Sequence, residues 1–282
     1  MFRSHTLALL FTMHLRHTHT LPTIPRRLVL IFQRYMSSRG SEYTYHQPVL
    51  LHECCDYLMK TPGGIYVDCT LGGGGHTKEI LRRGGRVIGL DQDTDAIRVS
   101  SQYLSDYIAN NTFEIAQINF RHIERYLQTS SLAKDHVVDG ILLDLGISSH
   151  QIDESSRGFA FSAEGPLDMR MAQQGSTSRE LTAATIVNEY SVESIANILY
   201  EYGEELKSLQ IAREIVASRP LLTTKDLAMC ISKITPWKHR TQTLARCFQA
   251  LRIVVNDEMS ALNEILLSAH RCLRPGKRLK IV

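Results

Sequence analysis

No stretch of the 282-residue chain reaches the eighteen or so consecutive apolar residues of a membrane-spanning helix, although 43% of its residues are hydrophobic. That content suits one large or two modest domains with a real core, and no membrane partner is expected. Cysteine pairs of the C-x-x-C kind are lacking too: Cys54, Cys55, Cys69, Cys230, Cys247 and Cys272 show no regular spacing. They read as free thiols in a reducing compartment, and no metal site is expected. Residues 1–41 have neither acid nor lysine, but six arginines: Arg3, Arg16, Arg26, Arg27, Arg34 and Arg39. Arginine, serine, threonine and histidine without acid fit a mitochondrial transit peptide, with processing near Arg34–Ser38 and the mitochondrial matrix as destination. Leu7–Met13 resembles a short secretory core, but its flanks are wrong and no small-residue cleavage site follows.

The net charge of +3 hides a division along the chain. Residues 42–212 carry a balance of −11, and residues 213–282 a balance of +8. A basic segment beside an acidic body predicts a local nucleic-acid footprint.

What is present is glycine in one place. Ile65-Tyr66-Val67-Asp68-Cys69 reads as a buried strand, Gly72–Gly75 as a turn, and His76–Arg83 as a helix. Arg86–Leu90 is then a second strand, ending at Asp91. Glycines there let the backbone approach an adenosine-type ligand, and a carboxylate about twenty residues on can accept from ribose hydroxyls. Gly72 and Gly74 supply two glycines of a nicotinamide fingerprint, but Thr77 stands where the third belongs. A looser turn of the kind that holds S-adenosylmethionine (SAM) fits as well, and at this point both ligands stay open.

The pattern continues with helix over Asp93–Tyr107, capped by Asp93 or Thr94, then a strand at Phe113–Gln117 and a short helix at Ile123–Leu127. Val138–Leu145 is an apolar run typical of a buried parallel strand. Before all of these, Pro48–Lys60 reads as a helix stopped by Pro62-Gly63-Gly64. The alternation predicts an α/β fold, a doubly wound and mostly parallel sheet. Its ligand crevice should gather Gly72–Gly75, Asp91, Phe120 and Asp144 at the carboxyl ends of the strands. Leu181–Tyr190, Val192–Tyr202, Leu206–Ser218 and Thr224–Ser232 look helical, so a helical subdomain over residues 151–242 interrupts a sheet domain of residues 42–150 and 243–282. One long helix, about Leu244–Leu273, returns the chain to a fifth strand at Arg278–Val282; Phe248, Leu251, Val255, Met259, Leu262 and Leu266 step along it by three and four.

After the fourth strand come Leu142-Leu143-Asp144-Leu145-Gly146-Ile147-Ser148-Ser149-His150-Gln151, Arg157-Gly158-Phe159-Ala160-Phe161 and Gly165-Pro166-Leu167-Asp168-Met169-Arg170-Met171. With His46-Gln47-Pro48-Val49-Leu50-Leu51, Tyr202-Gly203-Glu204-Glu205 and Phe248-Gln249-Ala250-Leu251-Arg252, these strongly resemble the MraW/RsmH family, from about residue 45 to Val282. The arginine-rich leader points to a mitochondrial member. The resemblance implies a Rossmann-like, class I SAM-dependent methyltransferase acting on N4 of a cytidine in small-subunit ribosomal RNA, in support of mitoribosome assembly. The family's cofactor positions fall on Gly74, Gly75, His76, Asp91, Phe120, Asp144 and Gln151. Asp144, or a carbonyl of this loop, is the candidate catalytic acceptor, in a place where many amino-methyltransferases carry a proline pair and an aromatic.

For the RNA, Asp168 and Arg170 are candidates to hold a lid or the target nucleotide, or else to anchor a loop. Lys233, Lys238, His239, Arg240, Arg246 and Arg252 offer basic contacts, and Trp237 is expected as a packed helix anchor sooner than a stacking surface. Two departures stand out. Leu206 follows Gly203-Glu204-Glu205 where the family has a basic residue, and Lys277–Val282 should be followed by a Ser-Phe-His-Ser motif and further strands. The last strands are thus expected to be missing, leaving an exposed sheet edge and impaired folding or activity. The alternative readings are a non-catalytic SAM- and RNA-binding ribosome-assembly factor and, more remotely, a nicotinamide-dependent oxidoreductase.

Overall fold

Among the described residues every strand of the sheet lies parallel to its neighbours, and that arrangement decides where a ligand can sit. The computed structural model describes residues 48–172 and 181–282, so the expected leader lies outside the described residues. The order is α1 (Leu51–Leu58), β1 (Ile65–Asp68), α2 (Gly75–Arg82), β2 (Arg86–Asp91), α3 (Thr94–Tyr103), α4 (Ser105–Ala109), β3 (Phe113–Gln117), α5 (Ile123–Leu127) and β4 (Val138–Leu143). It continues with α6 (Ser149–Asp153), α7 (Ala183–Glu189), α8 (Val192–Glu201), α9 (Ser208–Ala217), α10 (Thr224–Ile234), α11 (Arg240–Val255), α12 (Glu258–Cys272) and β5 (Leu273–Ile281).

The strands form one sheet in the order β3-β2-β1-β4-β5. From β1 the chain winds outward through β2 to β3, returns to β4 on the other flank of β1, and ends at β5. The direction therefore reverses between β1 and β4, and a crevice opens beyond their carboxyl ends. Both are buried along their whole length, as continuous apolar runs in the middle of a parallel sheet should be. Their side chains alternate between two cores. Ile65, Val67, Ile141 and Leu143 meet α5 and α12 on one face, while Tyr66 and Leu142 meet α1 and α2 on the other.

A third core is built by helices and the loop before them. It gathers Phe159, Leu167, Met169 and Met171 with the inner faces of α7 to α10, and it draws in Leu244, Cys247, Phe248 and Leu251 of α11. The helical unit therefore runs past the expected limit at residue 242. No helix among the described residues is long and apolar enough to cross a membrane.

Three elements differ from the sequence expectation. The long helix over 244–273 is two, because Asp257 takes a left-handed conformation (φ 49°) and the amide of Asn256 bonds outside the helix. The helix over 93–107 is also two, broken at Leu104, whose side chain is buried. The fifth strand begins at Leu273, five residues early, with an irregular register between Val138 and Gly140 that accommodates Pro275 and Gly276. The strand at Phe113–Gln117 and the helix at Ile123–Leu127 form where expected.

Candidate active site

The carboxyl end of β1 carries the chain into the glycine turn. Gly74 ends it at φ 80°, a left-handed conformation that suits glycine, and becomes the N-cap of α2. The turn is tied on both sides: Leu71 N–H donates to Leu90 O (3.0 Å), and Gly72 N–H donates to Asp91 Oδ2 (2.9 Å). Asp91 Oδ1 accepts from Asp93 N–H at 2.9 Å. Each carboxylate oxygen so keeps a second lone-pair direction for an outside hydroxyl. Burial pushes the Asp91 pKa up to about 6, against the pull of those two N–H groups, so it is ionised at neutral pH.

Asp144 follows β4 directly, facing the turn across the crevice. Its backbone N–H donates to Thr70 Oγ1 (2.7 Å), which fixes the two strand ends against one another. Its Oδ2 lies 3.8 Å from Nδ1 of His76, and its side chain is 23% exposed, so it remains open to a ligand. Asp68 closes the cluster from below, buried at 1% exposure and accepting from Thr77 Oγ1 (2.8 Å). Burial, with the nearby Asp68 charge second, raises the Asp144 pKa to about 7. Burial raises Asp68 as well, with His76 acting in the opposite direction. The imidazole is itself buried and meets Val49 O through Nε2 at 3.3 Å; a carbonyl only accepts, so that nitrogen carries the proton.

The structure thus brings Gly74, Gly75, His76, Asp91 and Asp144 together. Phe120 begins a short turn after β3 and packs on the sheet core near the same end. Gln151 behaves differently. Its amide oxygen accepts from Ser148 N–H (3.0 Å) in the capping box of α6, and Nε2 donates to Asp93 Oδ2 (2.7 Å). One amide N–H is left over, so its main work is holding the loop after β4 onto the start of α3.

Asp93 is the hub that sequence reading saw only as a helix cap. Oδ1 caps α3 through Asp95 N–H at 3.0 Å, while Oδ2 also accepts from Arg157 Nη1 at 3.0 Å. The Arg157 guanidinium is 6% exposed and continues to the carbonyls of Arg170 (3.1 Å) and Met171 (2.9 Å). Asn256, at the α11–α12 break, donates to Met169 O (2.8 Å) and accepts from Met171 N–H (2.7 Å). Asp168 and Arg170 pair with each other in two parallel bonds (2.8 and 2.7 Å), each about a third exposed, and Asp168 is held below the ordinary carboxylate range by Arg170 although burial acts the other way.

The expected basic contacts divide. Arg246 pairs with the buried Glu205, Arg252 takes Glu258 bidentately (2.7 and 3.0 Å), and Lys233 holds Glu214 (2.7 Å). These charges are engaged within the protein, contrary to the expectation that Arg246 and Arg252 face RNA. Lys238 and Arg240 have no carboxylate partner among the described residues, and Trp237, expected to be packed, is 82% exposed.

A cofactor of the SAM type can be tested against this geometry. A Cβ built on Gly72 would meet nothing closer than Thr70 O at 3.9 Å, so the turn leaves open space. Beside that space stand Asp91, with free acceptor capacity, and the open Asp144. The residues fit an adenosine carrying a cationic group.

Comparison with known proteins agrees. The sequence pattern of the MraW methylase family matches residues 43–282. The ribosomal RNA small subunit methyltransferase H of Symbiobacterium thermophilum is 44% identical over 247 residues, covering 84% of this chain and 75% of that protein. Its namesake in Bacteroides fragilis is 42% identical over 250 residues, covering 86% and 78%. Among solved structures, an rRNA methylase from Streptococcus thermophilus aligns with a TM-score of 0.27 at 21% identity, over 34% of this chain and 52% of that one, and adds nothing to the fold already described. The glycine turn, the two strand-end carboxylates and a match across the described chain lead to one conclusion: this protein belongs to the MraW methylase family, enzymes that use S-adenosylmethionine.

Proposed function

We propose that the chain methylates the exocyclic N4 amine of a cytidine in small-subunit ribosomal RNA of the mitochondrion. The observation that carries the chemistry is Asp144: an open carboxylate at the sheet's switch point, facing the turn that fits the cofactor. The rRNA substrate is supported by the name and closeness of the relatives, and the mitochondrial setting by the acid-free, arginine-rich leader.

When bound, SAM supplies an electrophilic methyl on a positively charged sulfur. Asp91 would hold the ribose hydroxyls by accepting from them, Gly74, Gly75 and His76 would border the cofactor at the turn, and Phe120 would flank its adenine end. Cytosine N4 is a poor nucleophile because its lone pair is delocalised into the ring. Asp144, ionised, accepts a hydrogen bond from the amine, orients the lone pair, and stabilises the positive charge that grows on nitrogen during transfer. A pKa near 7 also suits Asp144 to take the amine proton afterwards. Asp168, Arg170 and Arg157 hold the loop that borders the crevice, and the target base has to leave its stack to arrive there.

Incubating the chain with methyl-labelled SAM and small-subunit rRNA tests the reading. Labelled N4-methylcytidine in the digested RNA is the expected product; RNA binding without transfer would make the chain an assembly factor. The leader is tested separately by fusing residues 1–41 to a fluorescent protein, with mitochondrial import expected.

A further inference from the structure

The turn between α10 and α11 reads Pro236-Trp237-Lys238-His239-Arg240, and its tryptophan is the one tryptophan in the chain. Burying an indole is worth several times what its single N–H loses, so an 82% exposed tryptophan in a folded domain calls for an explanation. The Arg240 guanidinium lies over its ring at 5.2 Å, which holds the indole in one orientation. That arginine is not neutralised: its contact within the protein is a 3.3 Å bond to Ser232 O, and its Nε has no hydrogen-bond partner. Lys238 and His239 are exposed beside it. Of the six basic residues expected to meet RNA, Lys233, Arg246 and Arg252 are paired with carboxylates, which leaves Lys238, His239 and Arg240 side by side in one small patch.

An oriented, exposed aromatic among unpaired cations is suited to a base with phosphates on either side: the ring stacks on any base, and the cations meet the backbone. A protein partner would want a contiguous apolar surface around the indole, whereas Pro236, Lys238 and His239 surround it with proline and charge.

The patch is also remote from the crevice. α11 has 16 residues, hence a length of about 24 Å, and the Trp237 turn stands at its start. At its other end Asn256 holds the backbone of Met169 and Met171, and the Met171 sulfur accepts from Nε2 of Gln92 (3.2 Å), the residue after Asp91. A separation of roughly 20 Å corresponds to about six stacked nucleotides at ~3.4 Å each. We infer that Trp237, flanked by Lys238 and Arg240, is a stacking platform for an unpaired RNA base several nucleotides from the target cytidine. This rests on the ribosomal RNA reading above and names a second contact within that substrate.

The single tryptophan makes the test direct. Titrating the full chain with a single-stranded RNA fragment of about twenty nucleotides around the target should quench its fluorescence, whereas SAM alone should not. Trp237→Ala should weaken RNA binding about five-fold or more and raise KM for the fragment. Trp237→Phe should recover most of that loss, and SAM affinity should stay at the wild-type value as a check of folding. Lys238→Ala with Arg240→Ala should reduce the slope of log affinity against log salt by about 0.7 for each phosphate that is no longer neutralised. Methylation of the fragment with an unmoved fluorescence and unchanged KM in Trp237→Ala overturns the platform and leaves the proposed function standing. A tryptophan that responds to assembling small subunits but not to naked RNA also overturns it, in favour of a protein contact. Neither binding nor methylation of any rRNA fragment would remove both.

Discussion

Asp144 sits where stability and function oppose each other. Its folded pKa, about 7, stands above the ordinary value of 3.8, because burial and the Asp68 charge disfavour the ionised form. Between those values the folded chain keeps a proton that the unfolded chain has released, so stability falls as pH rises through that window. Asp144→Asn should therefore raise the melting temperature at pH 8 and change it little at pH 4, while lowering kcat by about a hundred-fold or more. In the parent chain, kcat/KM should rise with pH through about 7, and the asparagine variant should lose that limb. Full turnover in Asp144→Asn with unchanged SAM affinity would remove Asp144 from the chemistry. Arg246 offers the opposite case. It neutralises Glu205, which is 3% exposed, so Arg246→Gln should leave a buried carboxylate uncompensated, destabilise the chain by about 3 kcal/mol and lower its melting temperature. RNA affinity and its salt slope should stay as they were, separating this arginine from Arg240.

At the scale of elements, the sheet was legible because β1, β2 and β4 are mostly apolar runs that end at or just before an aspartate, and because strand and helix alternate. The break between α11 and α12 was not. Phe248, Leu251, Val255, Met259, Leu262 and Leu266 keep helical spacing straight through it, since the first three serve the helical core and the last three the sheet core. Periodicity reports which residues are apolar, not which core they face. The one local signal was Asn256-Asp257, two residue types that tolerate a left-handed conformation and compete for backbone partners. That break lets the Asn256 side chain turn outward and clasp Met169 and Met171. Asn256→Ala should leave two buried backbone groups unsatisfied, a cost of about 1–3 kcal/mol each. Hydrogen exchange should then quicken in residues 165–171 while the interior of α12 stays protected. Equal loss of protection throughout α12 would mean that Asn256 supports the helix and not the loop. Gly158 constrains the same loop: at φ 76° its Cβ would lie 2.1 Å from Pro166 O, so Gly158→Ala should destabilise the chain by about 2 kcal/mol or more, measurable by urea melts.

Across the whole molecule, the sheet with its two faces and the helical core are joined by a small buried polar bridge. Asp93 belongs to the sheet unit, and through one oxygen it holds both Gln151 after β4 and Arg157, whose guanidinium supports the carbonyls leading into the helical core. None of this was visible in the sequence beyond a capping aspartate, because a residue pair 64 positions apart leaves no local pattern. The same aspartate gives its own N–H to Asp91, the proposed ribose acceptor, so the cofactor pocket and the bridge share a backbone segment. Two cores coupled in this way should unfold together, as one calorimetric transition. Asp93→Ala removes the nearer counter-charge of a buried arginine, leaving Asp95 at 3.5 Å, at a cost of up to about 3–5 kcal/mol, and it also removes the cap of α3. The variant should show two transitions, and saturating SAM should shift the sheet transition upward, by about 2.7 kcal/mol at a hundred times Kd, leaving the helical one in place. Asp93→Asn keeps an acceptor oxygen at the cap but not the charge, so it should fall between the two. A single transition in Asp93→Ala, moved as a whole by SAM, would show that coupling runs through the packing of α11 against α12 and not through this bridge.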